Sequence, residues 1–190
     1  MVFTPDGKTA LVGLLPDAVV AIDVKTGTKK PTVLSGLQLP TLGPVTPDGK
    51  TAFFLAFPGD ALTASSFNVK TMTKNPTDIP IGGSFKDLSN YSGNPAVVIT
   101  PDGQTMFVAD LDTVKTIKVK TMTKDPTDIT GFTDAQAVAI TPDGKTAFVE
   151  EENSVSSINV KTMTKNPTDI PVANTLGSIT ITPCQSAKSK

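Results

Sequence analysis

Carboxylates and ammonium groups make up the acid–base repertoire of this chain, because its 190 residues include no His. Without imidazole, the common Ser and Cys hydrolase triads, imidazole proton shuttles and His-ligated zinc, copper or iron sites are excluded. There is no Arg and no Trp either, and all seventeen cations are Lys. Cys184 stands alone, so it has no second thiol with which to form a disulfide or a metal site, and it is read as a bystander. No GxGxxG or other phosphate-cradling glycine loop leads into a helix. What remains is carboxylate or Lys acid–base chemistry, or oxygen ligation of a hard cation such as calcium.

The residues that could serve are acids predicted to lie in or beside loops: Asp17, Asp60, Asp134, and above all Asp110, Asp112, Glu150, Glu151 and Glu152. The last five are the candidate metal residues, with calcium the one cofactor they suggest. No EF-hand or other calcium-loop spacing frames them. The preferred reading is therefore a solvated surface on which acids and lysines are segregated. A second candidate is the segment Gly82 to Asn94, which holds Phe85, Lys86 and the chain's one Tyr, Tyr91. An insertion of this kind can be a binding loop or a tolerated excursion of the surface.

The elements that must position these groups are repeats. VKTMTKNPTDI occurs at Val69 to Ile79 and Val160 to Ile170, VKTMTKDPTDI at Val119 to Ile129, and a divergent copy, VKTGTKKPTV, at Val24 to Val33. TPDG begins at Thr4, Thr46, Thr100 and Thr141, with a truncated start at Thr182, so the intervals are 42, 54, 41 and 41 residues. The excess in the second interval falls in Gly82 to Asn94. Short apolar runs between turn signals at a period near 40 fit one four-stranded propeller blade per repeat. In the fourth repeat, Ala137 to Thr141, Thr146 to Glu150, Ser154 to Val160 and Thr168 to Val172 read as successive strands, with KTMTKNP as a longer connection before the last. These runs are rich in Val, Ile, Phe and Thr, as half-buried sheet requires. A helix over KTMTKNPTD is excluded by its threonines and by the prolines at 76, 126 and 167. TPDG reads as a hairpin device: Pro presets its φ, Asp bonds the backbone two residues on, and Gly accepts a positive φ.

The ends of the chain complement each other. The N-terminus is read as lacking the apolar strand that precedes TPDG in later repeats, while GSITIT (Gly177 to Thr182) supplies such a strand alone. The expected fold is therefore all-β: a four-bladed β-propeller of four-stranded antiparallel blades, closed by pairing of 177–182 with the first blade beside Thr9 to Gly13. The alternative is two chains sharing one eight-bladed ring. Either way 1–183 is one propeller domain, with 184–190 as a tail, and the chain is a monomer or a homodimer.

An apolar strand, TPDGKTAFV, an alternating strand ending in INV, and a further strand resemble the YVTN-type β-propeller repeats. The likeness is clearest at Ile140 to Val149 and Ser154 to Val160, at Ile99 to Ala109, and at Val45 to Phe54. That superfamily includes surface-layer-like proteins, sugar-lactone hydrolases and subunits of quinone- or haem-associated dehydrogenases. The resemblance implies a propeller fold and an extracellular or cell-surface setting. The family's YVAN strand here reads FVAD (Phe107 to Asp110), FVEE (Phe148 to Glu151), FFLA (Phe53 to Ala56) and LVGL (Leu11 to Leu14). A lactonase of that superfamily is expected to rely on His or Arg, which this chain lacks.

Partners narrow in the same way. The formal charge is −1 without any guanidinium, so nucleic acid is not expected. No run approaches the roughly 18 to 20 apolar residues of a membrane span, and no signal peptide is evident. Propeller topology puts the TPDG turns and the KTMTKNP phrases at one end of the blades, and the connections that differ between repeats, with their acids, at the other. Uniform turns serve geometry, whereas varied loops host function. The function expected is a non-catalytic scaffold or interaction module that binds a protein or glycan through the varied, acidic end. The alternative is a carboxylate- or divalent-cation-dependent enzyme, hydrolase or lactonase-like, on the same end.

Overall fold

The computed structural model describes residues 1–14, 16–37, 41–56, 61–84, 97–172, 179 and 181. Each repeat folds as one antiparallel sheet, and there are four among the described residues. The first comprises β1 (Val2–Phe3), β2 (Thr9–Leu14), β3 (Ala18–Asp23) and β4 (Thr28–Leu34). The second comprises β5 (Thr41–Val45), β6 (Thr51–Ala56), β7 (Ala61–Asn68), β8 (Thr73–Lys74) and β9 (Ile79–Ser84). In the third, β10 (Val97–Ile99) is followed by β11 (Thr105–Lys118), which fills both middle places, then by β12 (Thr123–Lys124) and β13 (Ile129–Ala135). The fourth is β14 (Ala137–Ile140), β15 (Thr146–Glu150), β16 (Ser154–Asn159), β17 (Thr164–Lys165) and β18 (Ile170–Pro171). All strand pairs are antiparallel and join sequence neighbours, except where a split outermost strand returns to the third place.

Two expectations are corrected. The first sheet does have an innermost strand of its own: Val2 pairs with Leu11 and Phe3 with Ala10. Two residues were too short a run to read as a strand. The segment 177–182 lies outside the described residues apart from Ile179 and Ile181, and neither of these is in a strand. The second correction concerns KTMTKNP, which is not wholly a connection. Thr73–Lys74 pairs back onto Phe67 and Asn68, so the outermost strand begins there, breaks, and resumes at Ile79. The turn that allows this has Met72 at a φ of 53°, with the Asn68 side chain accepting hydrogen bonds from the backbone N–H groups of Lys70 and Thr71, each at 3.0 Å. Met122 and Met163 repeat that φ, and Gly27 takes it in the first sheet.

The core lies between sheets. Because side chains alternate across each strand, every sheet has a trailing face toward the preceding sheet and a leading face toward the next. Leu11, Val19, Ala21 and Leu34 of the first sheet pack on Ala52, Phe54 and Phe67 of the second. Phe53, Ala64 and Ile79 of the second pack on Val97, Met106, Val108 and Ile117 of the third. Phe107, Val114 and Ile129 of the third pack on Ala147, Val149 and Ile158 of the fourth. These are three cores for four sheets among the described residues.

Candidate functional site

At one end of the sheets the TPDG turns are built alike. In the second, the Thr46 hydroxyl donates to Asp48 at 2.7 Å, the Lys50 N–H donates to the same carboxylate at 3.0 Å, and the Thr51 N–H donates to Thr46 Oγ1 at 3.1 Å. The Thr hydroxyl is the main reason that the Asp6, Asp48, Asp102 and Asp143 carboxyls sit below their ordinary range. Consecutive turns also touch. A β-carbon placed on Gly49, Gly103 or Gly144 would lie 3.7, 3.2 or 3.4 Å from the Cδ of Pro5, Pro47 or Pro101 in the turn before it. Open clefts run between these turns, one lined by Asp6, Lys30, Asp48 and Lys70, another by Asp102, Gln104, Asp143, Lys145 and Lys161.

Most of the polar bonds of the repeated phrase stay within its own sheet. Lys74 pairs with Asp78 at 2.6 Å, Lys165 with Asp169 at 3.0 Å, and Lys124 with Asp128. The Asn75 amide donates to Ser66 Oγ at 2.7 Å, as Asn166 does to Ser157 at 2.8 Å. Ion pairs at four-residue spacing and side-chain bonds across the strand gap hold the broken outer strand in register.

The opposite end carries the candidate acids, in a rim made by three neighbouring turns. The bend at Asp110–Thr113 has Leu111 at a φ of 51°, and the Thr113 hydroxyl donates to the Asp110 carbonyl at 3.2 Å. Near the end of β13, Asp134 has a φ of 55°, its carboxylate accepting from Gln136 Nε2 in the connection to β14 at 2.8 Å. The turn between β15 and β16 is closed by the Glu151 N–H donating to the Ser154 carbonyl at 2.9 Å. Left-handed φ values at Leu111 and Asp134 cost about 1 kcal/mol or more each, and the cross-strand pair Leu111–Ala135 fixes both bends together.

The predicted residues do not converge on one point. Asp110 is engaged by Lys115, a buried pair on the third sheet. Burial lowers the Lys115 ammonium below its ordinary pKa; the Asp128 carboxylate opposes this, and Lys124 adds to it. Glu151 is buried on the fourth sheet, accepting from the Thr133 N–H at 2.5 Å and from the Ser156 hydroxyl, with Lys165 Nζ 3.6 Å away. Lys165 in turn donates to the Gly131 carbonyl at 2.7 Å and lies 5.2 Å above the Phe132 ring, tying the fourth sheet to the third. Ser156 Oγ also lies 2.6 Å from Asp169, so its single proton is shared between the two carboxylates, and this bond is the main cause of the lowered Asp169 pKa. Glu150 is buried, whereas Asp112 and Glu152 are exposed on the rim. Asp17 is exposed in the turn between β2 and β3. Phe85, Lys86, Tyr91 and Asp60 lie outside the described residues. Among the described residues, no group of three or more His, Cys, Asp or Glu side chains is gathered as a metal ion would need.

Sequence reasoning missed the partners of these acids. Lys115 stands where the second and fourth repeats have Ser65 and Ser156. A single ammonium at a position that is otherwise hydroxyl was a usable signal.

No protein-family model matches the sequence, and no curated protein matches it. Among solved structures, the chain is similar to hydrazine synthase of Kuenenia stuttgartiensis, with a TM-score of 0.72 at 22% identity. The match covers 90% of this chain and 48% of that one, so the chain spans about half the length of its neighbour. The likeness shows the fold: a propeller-like series of antiparallel sheets. No helix among the described residues is long and apolar enough to cross a membrane.

Proposed function

We propose that the chain is a propeller scaffold of the YVTN type that works by recognition, taking a protein or glycan on its varied rim. The observation that carries this reading is the unequal use of the rim acids. Asp110 and Glu151 are turned inward onto Lys115 and onto Lys165 with Ser156, where they hold the bends in shape. Asp112 and Glu152, at the same bends, are exposed. A rigid base with outward carboxylates suits a Lys- or Arg-bearing protein segment, or the hydroxyls of a glycan, which a carboxylate accepts in pairs. An enzyme on this rim would need the inner carboxylates to be open to substrate, whereas Asp110 and Glu151 are engaged by lysines. That favours recognition over catalysis.

The test is a glycan array together with a panel of basic peptides, probed with the parent chain and with an Asp112→Asn/Asp134→Asn/Glu152→Gln variant. The expected result is a ligand whose affinity falls about tenfold or more in the variant, the loss of one or two charge-assisted contacts. A Phe85→Ala/Tyr91→Ala variant probes the inserted loop in parallel. Equal binding by all three chains would remove this rim from consideration.

A further inference from the structure

The outermost faces of the series are not ordinary surfaces. Among the described residues, the exposed large hydrophobic side chains are Met1, Phe3, Leu14, Val24 and Val33, in or beside the strands of the first sheet, and Ile170 of the fourth. Several of them have buried counterparts in the inner sheets. Ile170 is 52% exposed, whereas Ile79 and Ile129, at the same place in the repeat, are 2% and 6% exposed, and Leu34 is 6%. On the first sheet's trailing face, Phe3 is 50% exposed where Ile99 is 9%, and Val24 is 44% where Val69 is 8%.

The two faces match each other. The third sheet meets the fourth through Phe107, Val114 and Ile129 against Ala147, Val149 and Ile158. Moving one repeat along, the leading face of the fourth sheet presents Phe148, Val155 and Ile170, and the trailing face of the first presents Ala10, Val12 and Ile22. The residue types are the same, pair for pair. Lys29 occupies the place of Lys165, the side chain that reaches back to the Gly131 carbonyl. The turns agree: Gly49, Gly103 and Gly144 each rest on a preceding proline, while nothing comes within 4 Å of a β-carbon placed on Gly7.

We infer that these faces are the two halves of one interface, and that what joins them is a second copy of this chain. The fourth sheet of each copy packs on the first sheet of the other, and Pro142 of one rests against Gly7 of its mate. Such a contact is head-to-tail, so it either closes into a ring or runs on as a filament. Propellers hold about four to eight blades. Two copies give eight sheets, within that range, and three copies exceed it. One chain closing on itself would bury Ile170 and Phe3, which are half exposed. This inference continues the three internal interfaces and does not depend on what the rim binds.

Sedimentation velocity across a concentration series tests it, using the parent chain and the Phe3→Asp, Ile170→Asp and Lys70→Asp variants. Phe3 and Ile170 are exposed enough that a charge leaves the single chain folded, which circular dichroism checks. The expected mass of the parent is twice 19.8 kDa. Phe3→Asp and Ile170→Asp should each weaken association by about tenfold or more, the effect of desolvating an unpaired carboxylate at an apolar contact, while Lys70→Asp on the repeated turns leaves it unchanged. A single-chain mass at every concentration would overturn the proposal. So would species that keep growing with concentration, or a dimer indifferent to both face variants.

Discussion

The smallest unit that the sequence repeats faithfully is a Thr and an Asp two residues apart, and the bond between them makes a prediction about acid. In each TPDG turn the Thr hydroxyl, followed by a backbone N–H, holds the Asp carboxyl below its ordinary value of 3.8. A carboxyl that binds protons less readily when folded contributes stability that is complete above the unfolded pKa and is lost as pH falls through the folded one. The thermal midpoint should therefore be level from about pH 5 upward and fall below about pH 4. Replacing Asp6, Asp48, Asp102 and Asp143 together by Asn should make that acid limb shallower in a calorimetric pH series. An unchanged limb would place the acid sensitivity in other carboxylates. The Pro, Asp and Gly parts of these turns were legible in the sequence, because they use ordinary turn chemistry within a few residues, whereas the bonds made by the Thr hydroxyl were not read from it.

Within a sheet, legibility depended on how many residues carried the signal. Thr146–Glu150 was read to its ends because alternation and four parallel copies agreed. The two-residue pieces β1 and β8 were not, because a run that short has no period. Nor does any local rule place Met72 at a positive φ; its buried side chain fills the core between the first and second sheets, and packing there outweighs a local cost of about 1 kcal/mol. The Asp110–Lys115 pair is a third case, since a buried ion pair joins positions five residues apart across a bend. Its energetics can be measured by cycle. Taking away one partner leaves a buried charge alone, at a cost of about 3 kcal/mol or more, whereas removing both is far cheaper. Lys115→Ser and Asp110→Ala should each destabilise by that order in urea unfolding. The double variant, which copies Ala56 and Ser65 of the second sheet, should cost no more than either single change. Additive losses would show that the two side chains stabilise the bend separately.

Among the described residues, each inner sheet is held on both faces and each end sheet on one, so stability along the series should be a sum of sheet and interface terms, as in repeat arrays. The end sheets are then the first to open in a lone chain, and their protection depends on what covers Phe3 and Ile170. Amide exchange separates the two states. In Ile170→Asp, held as a single chain, β2, β3 and β16 should exchange well ahead of β6 and β7, because the latter lie between two cores. In the parent chain the difference should narrow as concentration rises and the faces are covered, with the thermal midpoint rising alongside it by mass action. Uniform exchange in the single chain would mean that the four sheets open as one unit whose end faces are stable uncovered. The rim acids are set on this same frame: the bends that carry Asp112 and Glu152 belong to the third and fourth sheets, joined through Lys165 to Gly131. Covering the fourth sheet's far side should therefore slow exchange at Glu151 and Ser154 as well, coupling assembly to the stiffness of the surface proposed to bind.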